Sequence, residues 1–396
     1  MLTGKNVVLG VTGGIAVYKA VDVASRLKKL GAEVDVIMTE SATEFVQPLT
    51  FRSITHNPVT VDMFAEPNQW EVEHISLAQK ADLFLLAPAT ANIIGKLANG
   101  IADDMLSTTV LATEAEVVLA PAMNVNMYHN EVVQENLNYL RAHGYRVIEP
   151  DEGYLACGDR GKGRFPAPRE VVRTSSAYLL QADQNLVGKQ VLVTAGGTQE
   201  PLDPVRFIGN HSSGKMGYEL ARAAAARGAE VTLVSAPTQL TVPPGVDCVK
   251  VTTAAEMEEV VISRQERQDM IVMAAAVADY TPQTFSRSKI KKQEADLTLD
   301  LERTTDILAA VGHRKPEGQI TVGFAAETEN LVANAKKKLQ RKKADFIIAN
   351  DITGEETGFQ SDENQVLVLS QEGKQEEIPM GDKLKIAVEI FARLPR

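Results

Sequence analysis

The chain has 396 residues, 44% of them hydrophobic and 23% charged, with a formal net charge of −11. That length allows two or three domains with full cores, and the acidic balance argues against a general nucleic-acid binder or a basic membrane-surface module. No apolar run approaches the roughly 20 residues that span a bilayer; the opening MLTGKNVVLGVTGG lacks a signal-peptide h-region, and the two cysteines, Cys157 and Cys248, suit a reducing, cytoplasmic setting without disulfides.

In chain order, VVLGVTGGIAVYKAVDVASRLKKLGAEVDVIMT, from Val7 to Thr39, reads as a buried strand, a glycine-rich turn, a helix, then GAEV leading into a second strand. Strands are predicted at Asp82–Ala87 and Val117–Pro121, a helix near Glu131–His143 and a short strand at Tyr145–Ile148. The glycine-rich, basic stretch YLACGDRGKGRFP, Tyr154 to Pro166, reads as a mobile flap carrying Cys157. Polar, weakly periodic sequence from Thr174 to Lys189 reads as a linker. The same grammar then returns, from VLVTAGGT at Val191 to ARAAAARGAEVTLVS ending at Ser235. Later strands are predicted at Met270–Ala275, Ile320–Ala325, Asp345–Ala349 and Val366–Leu369, with helices near Leu331–Lys343 and Lys383–Arg393.

Apolar strands alternating with amphipathic helices predict two doubly wound α/β domains, 1–187 and 188–396, with parallel sheets covered on both faces. Gly31 and Gly228 sit where each helix needs a left-handed C-cap before a tight loop. In such sheets ligands bind beyond the carboxyl ends of the strands. The polar exits GVTGG, LLAPATAN, LAPAMN, VTAGGT, MAAAVADY and GFAAET all lie there.

TGGIAVYK, Thr12 to Lys19, offers main-chain N–H groups at a helix N-terminus, an anion site. It is not GxGxxG, so a dinucleotide fingerprint is unsupported. Gly13, Gly14 and Ile15, with Thr39 and Ser41 and with Pro88, Thr90 and Asn92 of PATAN, converge as three loops suited to a mononucleotide phosphate. His74 and Asn124 are unremarkable singly: a lone histidine is more often structural, and asparagine readily forms turns after a strand.

Together, TGGIA, His74, PATAN, PAMN and ACGDRGKGR resemble the flavin-dependent cysteine decarboxylases. Over nearly its whole length the chain is similar to the bacterial bifunctional family joining phosphopantothenoylcysteine decarboxylase to phosphopantothenate–cysteine ligase. The resemblance implies a flavodoxin-like first domain whose TGGIAVYK and PATAN loops hold FMN. It implies an essential His74, an Asn124 that binds the substrate carboxylate and a Cys157 that donates a proton. The chemistry suits these residues. Loss of CO2 from a cysteinyl carboxylate needs an electron sink, which FMN provides by oxidising CH2–SH to a thioaldehyde. His74 serves as base for that oxidation, and Cys157 on a closing flap delivers the final proton. Flap glycines would allow the movement. Arg160, Lys162 and Arg164 either attract the phosphorylated substrate or face solvent.

In the second half, Gly196, Gly197 and Thr198 form a strand-to-loop anion cradle without Walker A spacing. Small residues in MAAAVADY admit a base or ribose; Asp279 either binds a ribose hydroxyl or metal, or caps a helix. Lys338 and Lys342 are i,i+4 neighbours able to grip a phosphate chain, and Lys289 adds a cation. The resemblance implies a Rossmann-like ligase domain that activates 4'-phosphopantothenate with CTP and Mg2+ to an acyl-cytidylate, which cysteine displaces. It carries CTP contacts to Met273, Ala274, Ala275, Asp279, Lys289, Phe324, Lys338 and Lys342. Thr305, Asp306, Ile307 and Leu308 match a further contact segment, with threonine where many relatives have proline. Asn210 matches the intermediate-binding asparagine, and Arg206 is the expected phosphopantothenate partner. Metal ligands are not legible. The family implies homo-oligomers, trimeric through flavin domains and dimeric through ligase domains, with sites at interfaces. Two other readings stand beside this one: a non-catalytic flavoprotein subunit of the same fold, and a nicotinamide oxidoreductase, which lacks its glycine fingerprint and acidic residue.

Overall fold

The computed structural model describes residues 1–64, 73–156, 158–180, 185–291, 297–327, 331–351 and 361–395. The chain divides into two units, Met1–Leu180 and Gln181–Arg396.

In the first unit β1 (Asn6–Val11) leads through the TGG turn into α1 (Val17–Lys29) and β2 (Glu33–Met38). Val17, Ala20, Val23, Ala24 and Leu27 recur at helical spacing and form the buried stripe of α1. Past its end Gly31 takes φ +91° and the Ala32 N–H donates to the Leu27 carbonyl at 3.2 Å, closing the helix as the GAEV motif predicts. Short helices α2 (Glu40–Thr43) and α3 (Pro48–Thr55) carry the chain to the edge strand β3 (Val59–Thr60). There follow α4 (Glu73–Lys80), β4 (Leu83–Ala89), α5 (Ala91–Ala98), α6 (Met105–Ala112) and β5 (Glu116–Pro121). The unit ends with α7 (Val125–His129), α8 (Glu131–Ala142), β6 (Arg146–Val147), a hairpin of β7 (Asp151–Tyr154) and β8 (Arg160–Arg164), and α9 (Pro168–Leu180).

Six strands make one parallel sheet in the order β3-β2-β1-β4-β5-β6. The doubly wound class is as expected. The order itself is 3-2-1-4-5-6 rather than the flavodoxin 2-1-3-4-5, because β3 adds outside β2, and the switch point falls between β1 and β4. Side chains alternate between two cores: Val7, Leu9, Val11, Leu83 and Leu85 on one face, Val8, Phe84 and Leu86 on the other. Both faces are dry, so these strands read as unbroken apolar runs.

The stretch expected as a linker from Thr174 is a correction. Thr174, Ser175 and Ser176 are buried within α9, whose Val171, Val172 and Leu179 join the first core. α9 packs against α1 and β5, so the polar composition here belongs to a buried helix rather than a linker.

The second unit begins β9 (Gln190–Ala195), β10 (Gln199–Pro201), β11 (Phe207–Gly209), α10 (Lys215–Ala226), β12 (Glu230–Ser235), β13 (Val246–Lys250) and α11 (Ala254–Arg264). It continues β14 (Met270–Met273), β15 (Tyr280–Pro282), β16 (Leu301–Arg303), α12 (Ile307–Arg314), β17 (Ile320–Glu327) and α13 (Leu331–Lys342). It closes with β18 (Phe346–Asp351), β19 (Glu363–Ser370), β20 (Gln375–Asp382) and α14 (Lys383–Arg393). Gly228 repeats the helix closure, with φ +89° and the Ala229 N–H on the Ala224 carbonyl at 3.2 Å.

The large sheet runs β13-β12-β9-β14-β17-β18-β19-β20. Its first six strands are parallel and repeat, within the unit, the 3-2-1-4-5-6 order of the first sheet. The last two are antiparallel, which makes the sheet mixed rather than purely parallel. Two small ribbons, β10–β11 and β15–β16, follow the exits of β9 and β14. Among the described residues no helix is long and apolar enough to cross a membrane.

Candidate functional site

In the first unit the exits of β1, β2, β4 and β5 open into one cleft of about 1560 Å³, larger than a typical single-ligand pocket. Gly13, Gly14, Ile15, Thr39, Ser41, Pro88, Thr90 and Asn92 all line it, and so does Asn124. Thr12, buried at the end of β1, ties two of these loops together: its hydroxyl donates to the Pro88 carbonyl at 2.8 Å and accepts the Thr90 N–H at 3.0 Å. A Cβ on Gly13 would lie 2.5 Å from the Ser41 Cβ, so glycine lets the first and second exits touch. Thr39 and Thr90 occupy N-cap positions of α2 and α5, yet neither side chain caps its helix. The Thr39 Oγ1 is buried without a protein partner.

The PAMN loop meets the basic hairpin. Asn124 caps α7 by accepting the Asn126 N–H at 2.8 Å, while its Nδ2 donates to Asp159 Oδ2 at 2.7 Å. The Met123 N–H donates to the Gly163 carbonyl at 3.0 Å. A Cβ on Gly163 would come within 2.5 Å of the Met123 carbonyl, and one on Gly161 within 2.6 Å of Val125 Cγ2. These two glycines therefore permit close docking of the hairpin stem, a role beyond the movement expected of the flap glycines. Cys157 itself lies outside the described residues; the Gly158 N–H donates to the Leu155 carbonyl at 3.0 Å on either side of it.

Of the three flap cations only Arg164 lines the cleft. Arg160 stacks over Tyr154 at 5.9 Å, and Lys162 pairs with Glu149 at 2.7 Å while lying 5.5 Å from the Tyr128 ring centroid. Burial, with the hydrogen-bonded Glu149 carboxylate beside it, pushes the Tyr128 phenol up to about 12. Lys19, not singled out from sequence, also lines the cleft; its Nζ donates to the Phe165 carbonyl at 3.3 Å. Burial, reinforced by the nearby Arg164 guanidinium and opposed by Asp151, lowers its ammonium below the ordinary lysine value. Its helical register, one turn past Ile15, was the available signal. His74 opens α4 half-buried and is not among the residues that line this cleft.

In the second unit the AAAVAD loop is laced onto the β9 exit by threonine hydroxyls. Thr194 Oγ1 accepts the Ala275 N–H at 3.1 Å, Thr198 Oγ1 accepts the Ala278 N–H at 2.9 Å, and Thr304 Oγ1 donates to the Ala278 carbonyl. Asn210 Nδ2 donates to the Val277 carbonyl at 2.9 Å. Gly196, at φ +83°, approaches Ala236 so closely that a Cβ would meet its carbonyl at 2.8 Å. Ala274, Ala275 and exposed Asp279 lie along this loop. Asp279 precedes β15, not a helix, which removes the capping alternative.

Asp306 caps α12 by accepting the Ala309 N–H at 3.1 Å and pairs with Lys342 at 3.2 Å, so two expected contact residues meet. Thr305 precedes it. Lys338 and Lys342 are half-buried while Lys336, Lys337 and Arg341 are exposed, which sets the pair on one inward face of α13. Met273, Ile307 and Leu308 are core side chains, so only their main chain is available to a ligand. Phe324 is half-buried in β17. Arg206 is bound to Asp203 through Nε at 3.0 Å and Nη2 at 2.6 Å, leaving Nη1 without a partner among the described residues. Lys289 is exposed nearby, and Lys292 of SKIKK lies outside the described residues. Among the described residues no group of three His, Cys, Asp or Glu side chains is placed to hold a metal.

Comparison with known proteins places names beside this geometry. Residues 186–396 match the family described as DNA/pantothenate metabolism flavoprotein C-terminal domain, and residues 1–180 match the Flavoprotein family. The chain is 49% identical over 396 residues to the coenzyme A biosynthesis bifunctional protein CoaBC of Bacillus subtilis, covering 100% of this chain and 97% of that one. To the protein of the same name in Escherichia coli K12 it is 44% identical over 375 residues, 94% of this chain and 92% of that one. The crystal structure of the C-terminal domain of a CoaBC protein aligns with a TM-score of 0.46 and 42% identity, covering 52% of this chain and 94% of that chain.

Proposed function

The chain belongs to the family of coenzyme A biosynthesis bifunctional proteins, and from that premise we propose how its two units share the work. The protein is a bifunctional phosphopantothenoylcysteine decarboxylase and phosphopantothenate–cysteine ligase, and its first unit is a flavoprotein domain. The second chemical step stands first in the chain: residues 1–187 decarboxylate and residues 188–396 ligate.

FMN is the flavin of the first unit. Its fit is supported by the buried, unpartnered Thr39 hydroxyl, by Gly13 packed bare against Ser41, and by the uncapped first turns of α2 and α5 facing the cleft. Gly13, Gly14, Ile15, Ser41, Pro88, Thr90 and Asn92 would hold it. When bound, FMN supplies the electron sink that makes loss of CO2 from the cysteinyl carboxylate feasible. Asn124, its amide fixed by Asp159, orients that carboxylate. Arg164 and Lys19 place positive charge on the cleft wall, where an anionic group gains most from it. His74 acts as base toward the substrate thiol-bearing carbon and Cys157 returns a proton to the product. The homo-oligomer expected of the family, trimeric through flavin units and dimeric through ligase units, would put the sites at interfaces, where a second copy could bring its His74.

In the second unit CTP with Mg2+ lies over the AAAVAD loop, with Asp279 on the ribose and Lys289, Lys338 and Lys342 on the phosphates. Neutralising and positioning the triphosphate is most of what such transfer requires. Arg206 meets phosphopantothenate through Nη1, and Asn210 holds the acyl-cytidylate that cysteine displaces. The cytoplasm supplies these substrates.

The observation that carries this reading is convergence: residues from three strand exits, together with Asn124, line a single cleft. A purified chain that is yellow, releases FMN on denaturation, and converts phosphopantothenate, cysteine and CTP to CMP, pyrophosphate and phosphopantetheine by mass spectrometry is expected. A colourless protein, or CMP release independent of phosphopantothenate, overturns it. No observation favours the non-catalytic or nicotinamide readings.

A further inference from the structure

Asp203 sits in the turn between β10 and β11 with its side chain wholly buried. One carboxylate oxygen is occupied locally: Oδ1 accepts the N–H groups of Val205 and Arg206, both at 2.8 Å. That alone would satisfy a turn aspartate. The other oxygen reaches across the fold. Oδ2 accepts Arg206 Nε at 3.0 Å, Arg206 Nη2 at 2.6 Å and, 87 residues further along the chain, the Ile290 N–H at 3.0 Å. Arg206 Nη2 also donates to the Ile290 carbonyl, and the Ser286 N–H donates to the Leu202 carbonyl at 3.0 Å.

Residues 286–290 have no strand or helix of their own. What holds them is this set of bonds to 202–206. The adjoining Lys289 is exposed and has no partner among the described residues; its main chain is anchored while its ammonium stays free. Burial would push the Asp203 carboxyl up, but hydrogen bonds from Ile290, Val205 and Arg206 outweigh it and hold the group well below the usual carboxylate range. A buried charge that meets this many donors is a fixed reference point, and removing it uncouples both loops.

We propose that Asp203 is a positioning residue of the ligase reaction, setting the place of Lys289 through the Ile290 N–H and the Arg206 guanidinium. The proposal rests on the ligase reading above. The test is a double-mutant cycle in the full-length chain, read as pyrophosphate release from CTP with phosphopantothenate saturating, so that a loss of phosphopantothenate binding through Arg206 does not enter the readout. Asp203→Asn keeps an acceptor for Val205 and Arg206 N–H groups but sets an amide against Ile290 and the guanidinium. It is expected to lower kcat/KM for CTP about tenfold or more, as misplacement of a reacting group by about 1 Å does. In a Lys289→Ala background the same change is expected to cost less than about threefold, because the group it positions is gone.

Equal losses in both backgrounds overturn the proposal, as does wild-type activity in Asp203→Asn. A wild-type chain without CTP-dependent pyrophosphate release overturns the ligase reading instead. If Asp203→Asn does not accumulate, Asp203→Glu, which keeps the charge but lengthens the reach, is carried through the same cycle with the same two outcomes.

Discussion

Replacing Thr12 by valine isolates one tie in the cleft of the first unit. The side-chain shape is kept, and the hydroxyl that bridges Pro88 and Thr90 is lost. Each buried group left without a partner costs about 1–3 kcal/mol, and the added methyl returns about 0.8 kcal/mol. Thr90 is half-buried, which puts its share at the low end, so the net loss after the methyl is counted is about 1–3 kcal/mol. For a unit of this length that lowers the unfolding temperature by roughly 2–12 °C. Thr12→Ser keeps both hydrogen bonds and removes only a methyl, for about 1 kcal/mol. Thermal unfolding followed by flavin release measures the first effect, and fluorescence titration of the apoprotein with FMN measures the second. Weaker FMN binding is expected for valine and near-normal binding for serine. If valine and serine behave alike in both assays, the bridge is not what sets the spacing of these loops.

Cys157→Ser is expected to consume phosphopantothenoylcysteine and release CO2 while stalling before the saturated aminothiol; normal turnover by mass spectrometry would dismiss the proton-donor role. Gly163→Ala places a Cβ 2.5 Å from the Met123 carbonyl at φ +144°, so it should cut decarboxylation at least tenfold, by about 1.4 kcal/mol or more, while CTP-dependent ligation by the same chain stays unchanged. Lys19→Met should raise apoprotein stability at neutral pH yet weaken FMN or substrate binding. The folded-state lysine is lowered, so its burial opposes folding wherever it is protonated, and the variant's advantage should fade as pH rises through the folded value toward about 10.4. Denaturant midpoints across that range check the sign.

Much of the architecture was open to reading because both sheets are dry on both faces. Continuous apolar strands such as Leu83–Leu86 and Val191–Val193 leave little choice of element, and glycines past α1 and α10 mark their ends. The eight residues expected at the cofactor loops line one cleft because they lie at or just past the ends of those strands. What stayed hidden depends on contacts distant in sequence. Ser175 and Ser176 look like linker residues until α9 is packed into the first core, where both are buried. Gly161 and Gly163 look like hinges until the PAMN loop lies on them. Asp203 reads as an ordinary turn aspartate, since nothing local reveals that Ile290 will donate to it. Lys19 closes the TGGIAVYK stretch, but nothing local reveals that its ammonium will reach the Phe165 carbonyl.

The threonine lacing of the AAAVAD loop has a thermodynamic consequence for whatever binds there. Thr194 and Thr198 at the β9 exit and Thr304 after β16 fix that main chain with hydroxyls from two separate segments, so its shape is settled during folding and a ligand arriving later does not have to order it. Affinity for a ligand seated on this loop would thus depend on the hydroxyls that hold its main chain, and loosening any one of them would appear in a binding experiment as an entropy penalty.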